Sequence, residues 1–325
     1  MFSLAMDPPS IGVGTWAWGN QFLWGYGPDQ DAQLAAAFQR AVDLGLHFFD
    51  TADSYGTGRF SGRSETLLGS WCAALPPARR APLRLATKLA PFPWRLGRHG
   101  FDRAFAASCA RLKGKLDRVQ LHWSTARYAP WQEGPLLDGL ADLVLAGKVP
   151  ELGVSNFGPK RLRRVHGHLA ERGVNLASLQ VQFSLLAPEP ALPGGVAEVC
   201  RELGVTLIAY SPLALGWLAP AEGKPSPQPS GPRSLLFARL ERGAEAVRQG
   251  LLRIAAAREV PAAAVALNWC RAHGAMPIPG LRRIEQVDVA AGAMGWHLSS
   301  EERAELDALA LANRARMPAN PFQSA

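Results

Sequence analysis

Short apolar runs alternate along the whole chain with longer stretches in which apolar residues recur every three or four positions. The runs Ile11–Thr15, Leu46–Asp50, Leu83–Lys88, Arg118–His122, Glu151–Ser155, Ser178–Gln182, Val205–Tyr210 and Ala275–Pro279 predict eight strands. Between them, Phe101, Phe105, Ser108, Cys109 and Leu112 follow helical spacing. So do Leu162, Val165, His166 and Leu169, and again Val196, Val199, Cys200 and Leu203. Gly45 and Gly204 stand where helices commonly end, because glycine accepts the left-handed backbone of a C-cap. Eight strands alternating with helices belong to the α/β class and fit a (β/α)8 TIM barrel better than an open sheet. The 325 residues suit one such barrel with insertions, so a single barrel domain over 1–325 is expected. Its long βα loop at 211–243 carries the Pro/Ser/Gly-rich stretch Ala219–Ser234 and is expected to be mobile over the active face.

A barrel of this kind keeps its functional residues at the C-terminal ends of the strands. Asp50, Lys88, His122, Ser155 with Asn156, Gln180, and Tyr210 with Ser211 all end strands in this reading. Only six of the 35 basic residues are lysines, so a lysine inside an apolar strand is conspicuous. Tyr55 follows Asp50 by five residues. An acid, a lysine and a tyrosine at one end of a sheet make a proton donor: Asp50 keeps Lys88 charged, and Lys88 favours the phenolate of Tyr55. The expectation is a phenol that releases its proton far below its reference pKa of about 10. Reduction of a carbonyl needs such a group, because the oxygen gains a proton as its carbon gains hydride.

Composition narrows the alternatives. Apolar residues make up 48% and charged residues 19%, enough for a large core. The net charge of +8 comes from arginines scattered without a run or aromatic interleaving, so nucleic acid is not an expected partner. Cys72, Cys109, Cys200 and Cys270 show no CxxC spacing and read as reduced core thiols. His166 and His168 fall on opposite helix faces, and no metal site is expected. No apolar run reaches the roughly 18 residues of a membrane span, and no membrane association is expected. The segment Met1 to Ser10 is too short for a signal or transit peptide. Gly12-Val13-Gly14-Thr15-Trp16-Ala17 fits a dinucleotide fingerprint, yet two tryptophans and Gly19-Asn20 follow with no early helix, so a Rossmann site is not expected.

Eight segments in register resemble the aldo-keto reductase superfamily. They are Gly14–Gly19, Phe49–Gly56, Ala86–Lys88, Leu121-His122, Gly153–Asn156, Gln180–Gln182, Ala209–Leu213 and Ile278–Gly280. The resemblance implies NADPH as cofactor, extended across the barrel mouth. It implies Tyr55 as proton donor, Lys88 and Asp50 as the groups that tune it, and His122 as the residue that orients the carbonyl. It places Tyr210 on the nicotinamide and Ser155, Asn156 and Gln180 on its carboxamide. Gln180 and Gln182 alternate along a strand, so only one faces inward, and the motif selects Gln180. Ser211, Pro212 and Leu213 would line the pyrophosphate path. Gly14, Thr15, Trp16, Asp50 and Gly280 would border the cofactor, and Arg282 and Gln286 would serve its adenosine end. Val289 and Ala290 stand where the family carries Glu and Asn, which predicts fewer adenine contacts. Arg282, with Arg283, still suits a 2′-phosphate by bidentate hydrogen bonds.

Further stretches are similar to the plant and algal chloroplast pyridoxal reductase group: Gly14–Gln21 with Leu23–Tyr26, Leu121–Thr125, Val181–Leu186, Gly231–Phe237, and Asn320–Gln323. They imply reduction of pyridoxal to pyridoxine in a plastid. Trp18, Trp24, Trp94 and Trp123 fall in or near βα loops and would wall a pocket for a flat ring, or else pack the barrel rim. Arg233 would clamp cofactor phosphate or shape that pocket. Two alternatives stay open: a broad aldehyde or ketone reductase, and an NADPH-binding regulatory subunit of the kind some relatives form with channels. The oligomeric state is not legible in the sequence.

Overall fold

A computed structural model describes residues 10–220, 229, 232–241 and 243–324. Most of the Pro/Ser/Gly-rich part of the loop at 211–243, and the N-terminal segment except Ser10, lie outside the described residues.

The strands are β1 Val13–Gly14, β2 Phe48–Asp50, β3 Arg84–Leu89, β4 Arg118–Leu121, β5 Glu151–Ser155, β6 Leu176–Gln182, β7 Thr206–Tyr210 and β8 Ala275–Ile278. Each pairs in parallel with the next, in chain order. A Gly14–Gly280 bridge brings β8 back to β1, and the N–H groups of Gly12 and Gly14 donate to the carbonyls of Pro277 (3.0 Å) and Pro279 (2.9 Å). This is the expected (β/α)8 barrel. Parallel neighbours require a crossover, and a right-handed helical crossover between consecutive strands leaves sequence order as spatial order.

Strand boundaries shift at their ends. β1 is two residues rather than five, although Ile11 before it is 1% exposed. Apolar character marks burial, and burial continues past the last ladder hydrogen bond. The expected helical faces are buried: Phe101, Phe105, Ser108 and Leu112 around the helix Asp102–Arg111, and Val196, Val199 and Cys200 in Val196–Leu203. Gly204 caps that last helix at φ 67°, as its position predicts. Cys72, Cys200 and Cys270 are buried, Cys109 is half-buried, and all four are free thiols.

Inside the barrel, one register row runs Lys88, Gln120, Gly153, Ser178 across β3 to β6. It is polar and fully covered, with Lys88 at 1% and Gln120 and Ser178 at 0% exposure. This row underlies the site at the C-terminal end of the strands. Among the described residues, no helix is long and apolar enough to cross a membrane, and no group of three or more His, Cys, Asp or Glu side chains is placed to hold a metal ion.

Candidate active site

Asp50 ends β2 and Lys88 lies one residue before the end of β3, both buried and joined as an ion pair. The Lys88 ammonium also donates to the Thr51 carbonyl at 2.8 Å. The other oxygen of Asp50 accepts two amide N–H groups, from Gln120 at 2.9 Å and Gln180 at 2.8 Å. A buried ion pair is tolerable when its remaining lone pairs are satisfied, and these are. Burial works against the charge on Lys88, but Asp50 and Tyr55 outweigh it and hold its pKa above the ordinary value.

Tyr55 sits in the turn after β2, its N–H bonded to the Ala52 carbonyl at 3.1 Å. The loop then folds back so tightly that a Cβ on Gly56 would lie 1.8 Å from the Phe60 carbonyl oxygen, at a φ of +108°. Only glycine satisfies both demands. The Lys88 Nζ is 4.9 Å from the centre of the Tyr55 ring, and the His122 ring meets it edge-on at 5.8 Å. Burial raises the Tyr55 phenol above its ordinary pKa, and Lys88 only partly opposes that. The sequence expectation of a strongly acidic phenol is therefore corrected: desolvation of the phenolate exceeds the attraction of an ammonium whose charge Asp50 already offsets. His122 is pushed well below its ordinary pKa by burial and by Lys88, so it is a neutral imidazole at neutral pH. The Ser54 hydroxyl lies 3.4 Å from its Nδ1.

The neighbouring strand ends supply the rest. Asn156, after β5, takes a left-handed backbone at φ 65°. Its amide nitrogen donates to the His122 carbonyl and the Ser155 hydroxyl, both at 3.1 Å. Its amide oxygen accepts from the Tyr210 hydroxyl at 2.9 Å and from Asn320 at 3.1 Å. Burial pushes the Tyr210 phenol up to about 12, with the Asn320 hydrogen bond easing it. Ser211 takes φ 51° and opens a turn in which Ala214, Leu215 and Gly216 also have positive φ. Pro212 is buried and the Leu213 carbonyl accepts from Gly216 at 2.8 Å. Arg282 and Arg233 stack on the Trp24 ring, their guanidinium carbons 5.2 and 4.2 Å from its centre. Burial and mutual crowding depress both: Arg282 charge acts on Arg233, and Arg283 charge on Arg282.

Several expected contacts are otherwise engaged. Thr15 is buried, its N–H and hydroxyl both donate to the Asp50 carbonyl, and its oxygen accepts from Ser64 at 2.7 Å. It therefore anchors the end of β2. Gly14 and Gly280 form the barrel seam, and a Cβ on Gly14 would lie 2.7 Å from the Ile278 carbonyl oxygen. The Gln180 amide nitrogen is spent on Asp50, and the Gln286 side-chain oxygen holds the Arg282 N–H at 2.9 Å. Trp18 is 0% exposed, donates to the Leu281 carbonyl and packs on Trp71, so it belongs to the core and not to a pocket. Trp24, edge-on to Trp16, lies with the arginines. Ala290 is fully buried and Val289 packs against the core.

Trp123 follows His122, with ring centres 5.0 Å apart, and stacks on Phe322 of the C-terminal tail at 4.5 Å. Phe92 meets Trp123 edge-on and stacks on Trp94, which is 73% exposed. Gln120, Phe92, Asn320 and Phe322 are the residues that sequence reasoning did not assign. Gln120 had a signal: it is polar inside an apolar strand and two positions before His122, hence on the same face.

The chain as a whole is similar to known proteins. A model of the Aldo/keto reductase family matches residues 10–311. A chloroplastic pyridoxal reductase of Arabidopsis thaliana is 44% identical over the full chain and 88% of its own length. A 6-dehydroglucose reductase of Novosphingobium aromaticivorans is 33% identical over 87% of this chain and 86% of its own. The crystal structure of an aldo-keto reductase from Klebsiella pneumoniae in complex with NADPH matches 98% of this chain and 94% of that one, with a TM-score of 0.70 at 27% identity. With the barrel, the buried Asp50–Lys88 pair beside Tyr55, and full-length likeness all in agreement, this chain belongs to the aldo/keto reductase family.

Proposed function

We propose that this protein reduces an aldehyde to an alcohol with NADPH, that Tyr55 gives the proton, and that the substrate is pyridoxal. The observation that carries the proton-transfer reading is the covered Lys88–Asp50 pair against the Tyr55 ring, beside an uncharged His122. A phenol with a raised pKa is fully protonated at neutral pH and therefore loaded as an acid. Lys88 stabilises the phenolate that remains after transfer, and Asp50 keeps Lys88 charged. Neutral His122 can donate one ring N–H to the carbonyl oxygen and so orient it without competing as an acid.

The residues fit the cofactor. Arg233 and Arg282 have no carboxylate within ion-pair distance among the described residues, and the Arg233 Nε has no partner. Two crowded, partly desolvated guanidinium groups on one indole call for a phosphate-like anion. When bound, NADPH supplies hydride to the carbonyl carbon. Ser155, Asn156, Gln180 and Tyr210 would hold its nicotinamide end, Ser211 to Leu213 its pyrophosphate, and Arg282 with Arg233 its phosphate groups. Val289 and Ala290 offer the adenine no hydrogen bond.

Pyridoxal enters through the Arabidopsis thaliana relative and through the aromatic wall of Trp123, Phe322 and Phe92, which suits a flat heteroaromatic ring. The same relative supports a plastid location. The test is oxidation of NADPH by the purified protein with pyridoxal, beside a simple aromatic aldehyde and a Tyr55→Phe control. Pyridoxal turnover with kcat/KM well above the simple aldehyde, abolished in the variant, is the expected result. Equal values would remove the pyridoxal assignment and leave a general reductase; turnover undiminished in Tyr55→Phe would overturn the proton-donor role.

A further inference from the structure

The polar row inside the barrel contains a residue that bonds Asp50 directly. Gln120 is wholly buried, and among the described residues its one side-chain hydrogen bond is the 2.9 Å N–H donation to Asp50 Oδ2. Its own amide oxygen has no partner among the described residues. Burying an amide with an unsatisfied carbonyl is costly. A leucine, as in the flanking position 121, would avoid that cost. The space is also prepared for it. Gly153 and Ser178 are the next two residues in the register row. A Cβ on Gly153 would lie 3.0 Å from the Gln120 Cγ and 2.4 Å from the Ser178 hydroxyl oxygen. A bare glycine in β5 is what lets the long amide reach across toward β2.

We infer that Gln120 is a positioning residue for proton transfer, acting through Asp50. Its N–H dipole, with that of Gln180, holds one carboxylate oxygen so that the other meets Lys88. It also offsets part of the negative charge that Asp50 presents to Tyr55. This rests on the reading of Tyr55 as the proton donor. The sign of the effect follows from charge. With Gln120 gone, Asp50 is a less compensated anion, the Tyr55 phenolate is less favoured, and the phenol pKa rises. A weaker acid transfers its proton more slowly, and the alkaline limb of the reduction moves to higher pH.

The test uses Gln120→Met, which keeps length and apolar bulk but removes the donor, and Gln120→Glu. Steady-state reduction is measured against pH for the wild type and each variant, and Tyr55 is titrated by ultraviolet difference against Tyr55→Phe in each background. The expected result for Gln120→Met is a kcat lowered about tenfold, carbonyl KM within about twofold, and both the alkaline limb and the phenol titration raised by about one pH unit. Gln120→Glu can donate to Asp50 only when protonated, so its activity is expected to approach that of the wild type at acidic pH and to fall as pH rises. Ser178→Ala, whose hydroxyl bonds neither Asp50 nor Lys88, is expected to leave both titrations in place. A Gln120→Met protein that folds, with kcat and the phenol titration unchanged, would overturn the inference. So would loss of kcat with an unmoved alkaline limb, because that is the signature of a merely structural role. Should the wild type itself reduce no carbonyl, or Tyr55→Phe retain its rate, the failure would belong to the proton-donor reading, and the phenol titration would still judge Gln120.

Discussion

At the scale of single residues, the site is an exercise in holding charge away from water. Lys88 and Asp50 are each 1% exposed, and Lys88, Gln120 and Gln180 all donate to the carboxylate, Lys88 to the Thr51 carbonyl as well. The burial that strengthens their mutual attraction also raises Tyr55 and lowers His122. Tyr55→Phe should lower kcat/KM by about 10²–10⁴ while leaving NADPH affinity intact, as measured by turnover and by fluorescence titration. His122 carries a pH signature in stability. Its folded pKa is depressed, so on acidification the unfolded state takes the proton first. The stability it permits is complete above about pH 6.5 and is lost as pH falls toward the lower folded value. Thermal melts of the wild type should therefore decline more steeply below about pH 6.5 than those of His122→Asn. Parallel declines would show that another group dominates.

At the scale of elements, the strand ends hold the chemistry and the tail covers it. Asn320 donates to both the Tyr210 hydroxyl and the Asn156 amide oxygen, and Ser324 N–H bonds the Asn156 carbonyl at 3.0 Å. Phe322 reaches Trp123 from the same tail. These contacts argue for two separable effects. Phe322→Ala should raise KM for aromatic aldehydes several-fold with NADPH binding unchanged, because it removes one stacked face of about 0.5–1.5 kcal/mol. Asn320→Ala should instead weaken NADPH, because Asn156 and Tyr210 lose a shared anchor. Steady-state kinetics with each ligand varied in turn separates the two, and interchangeable effects would contradict the division. The strands themselves were legible because a buried parallel strand is a short, nearly continuous apolar run bounded by turns. Their exact ends were not, since Ile11 stays buried beyond the last ladder bond of β1. The tail contacts were not legible either, because no local pattern says that residues 320–324 return across the barrel to Asn156.

At the scale of the molecule, the arginine-rich composition has a local consequence. Arg233 lies within the segment 211–243 and Arg282 follows β8, yet both share the Trp24 ring. Arg282→Ala should weaken NADPH about 10–100-fold, equivalent to a charged hydrogen bond of about 1.5–3 kcal/mol, and leave NADH little changed. Equal losses for both cofactors, by direct titration, would remove Arg282 from the 2′-phosphate. Barrel closure through Gly14 and Gly280 explains why those glycines sit in their motifs: the seam admits no Cβ at Gly14.

The sequence by itself determined the order of strands and helices, the barrel, and the residues at the strand ends. It could do so because consecutive right-handed βα units leave one way to close and always bring the same ends together. It also specified Asp50, Tyr55, Lys88 and His122, since each falls at a strand end or in the turn directly after one. Which side chains were already spent emerges only once the barrel is assembled. Thr15 and Trp18 carry suitable chemistry but satisfy backbone carbonyls in the core. Gln120 stood out as a polar residue in an apolar strand, but that Asp50 is its partner is set by the closed barrel. The sign of the Tyr55 shift also lay beyond the sequence, because it depends on how much water the fold removes from the phenol, and that is a property of the assembled barrel mouth rather than of any segment.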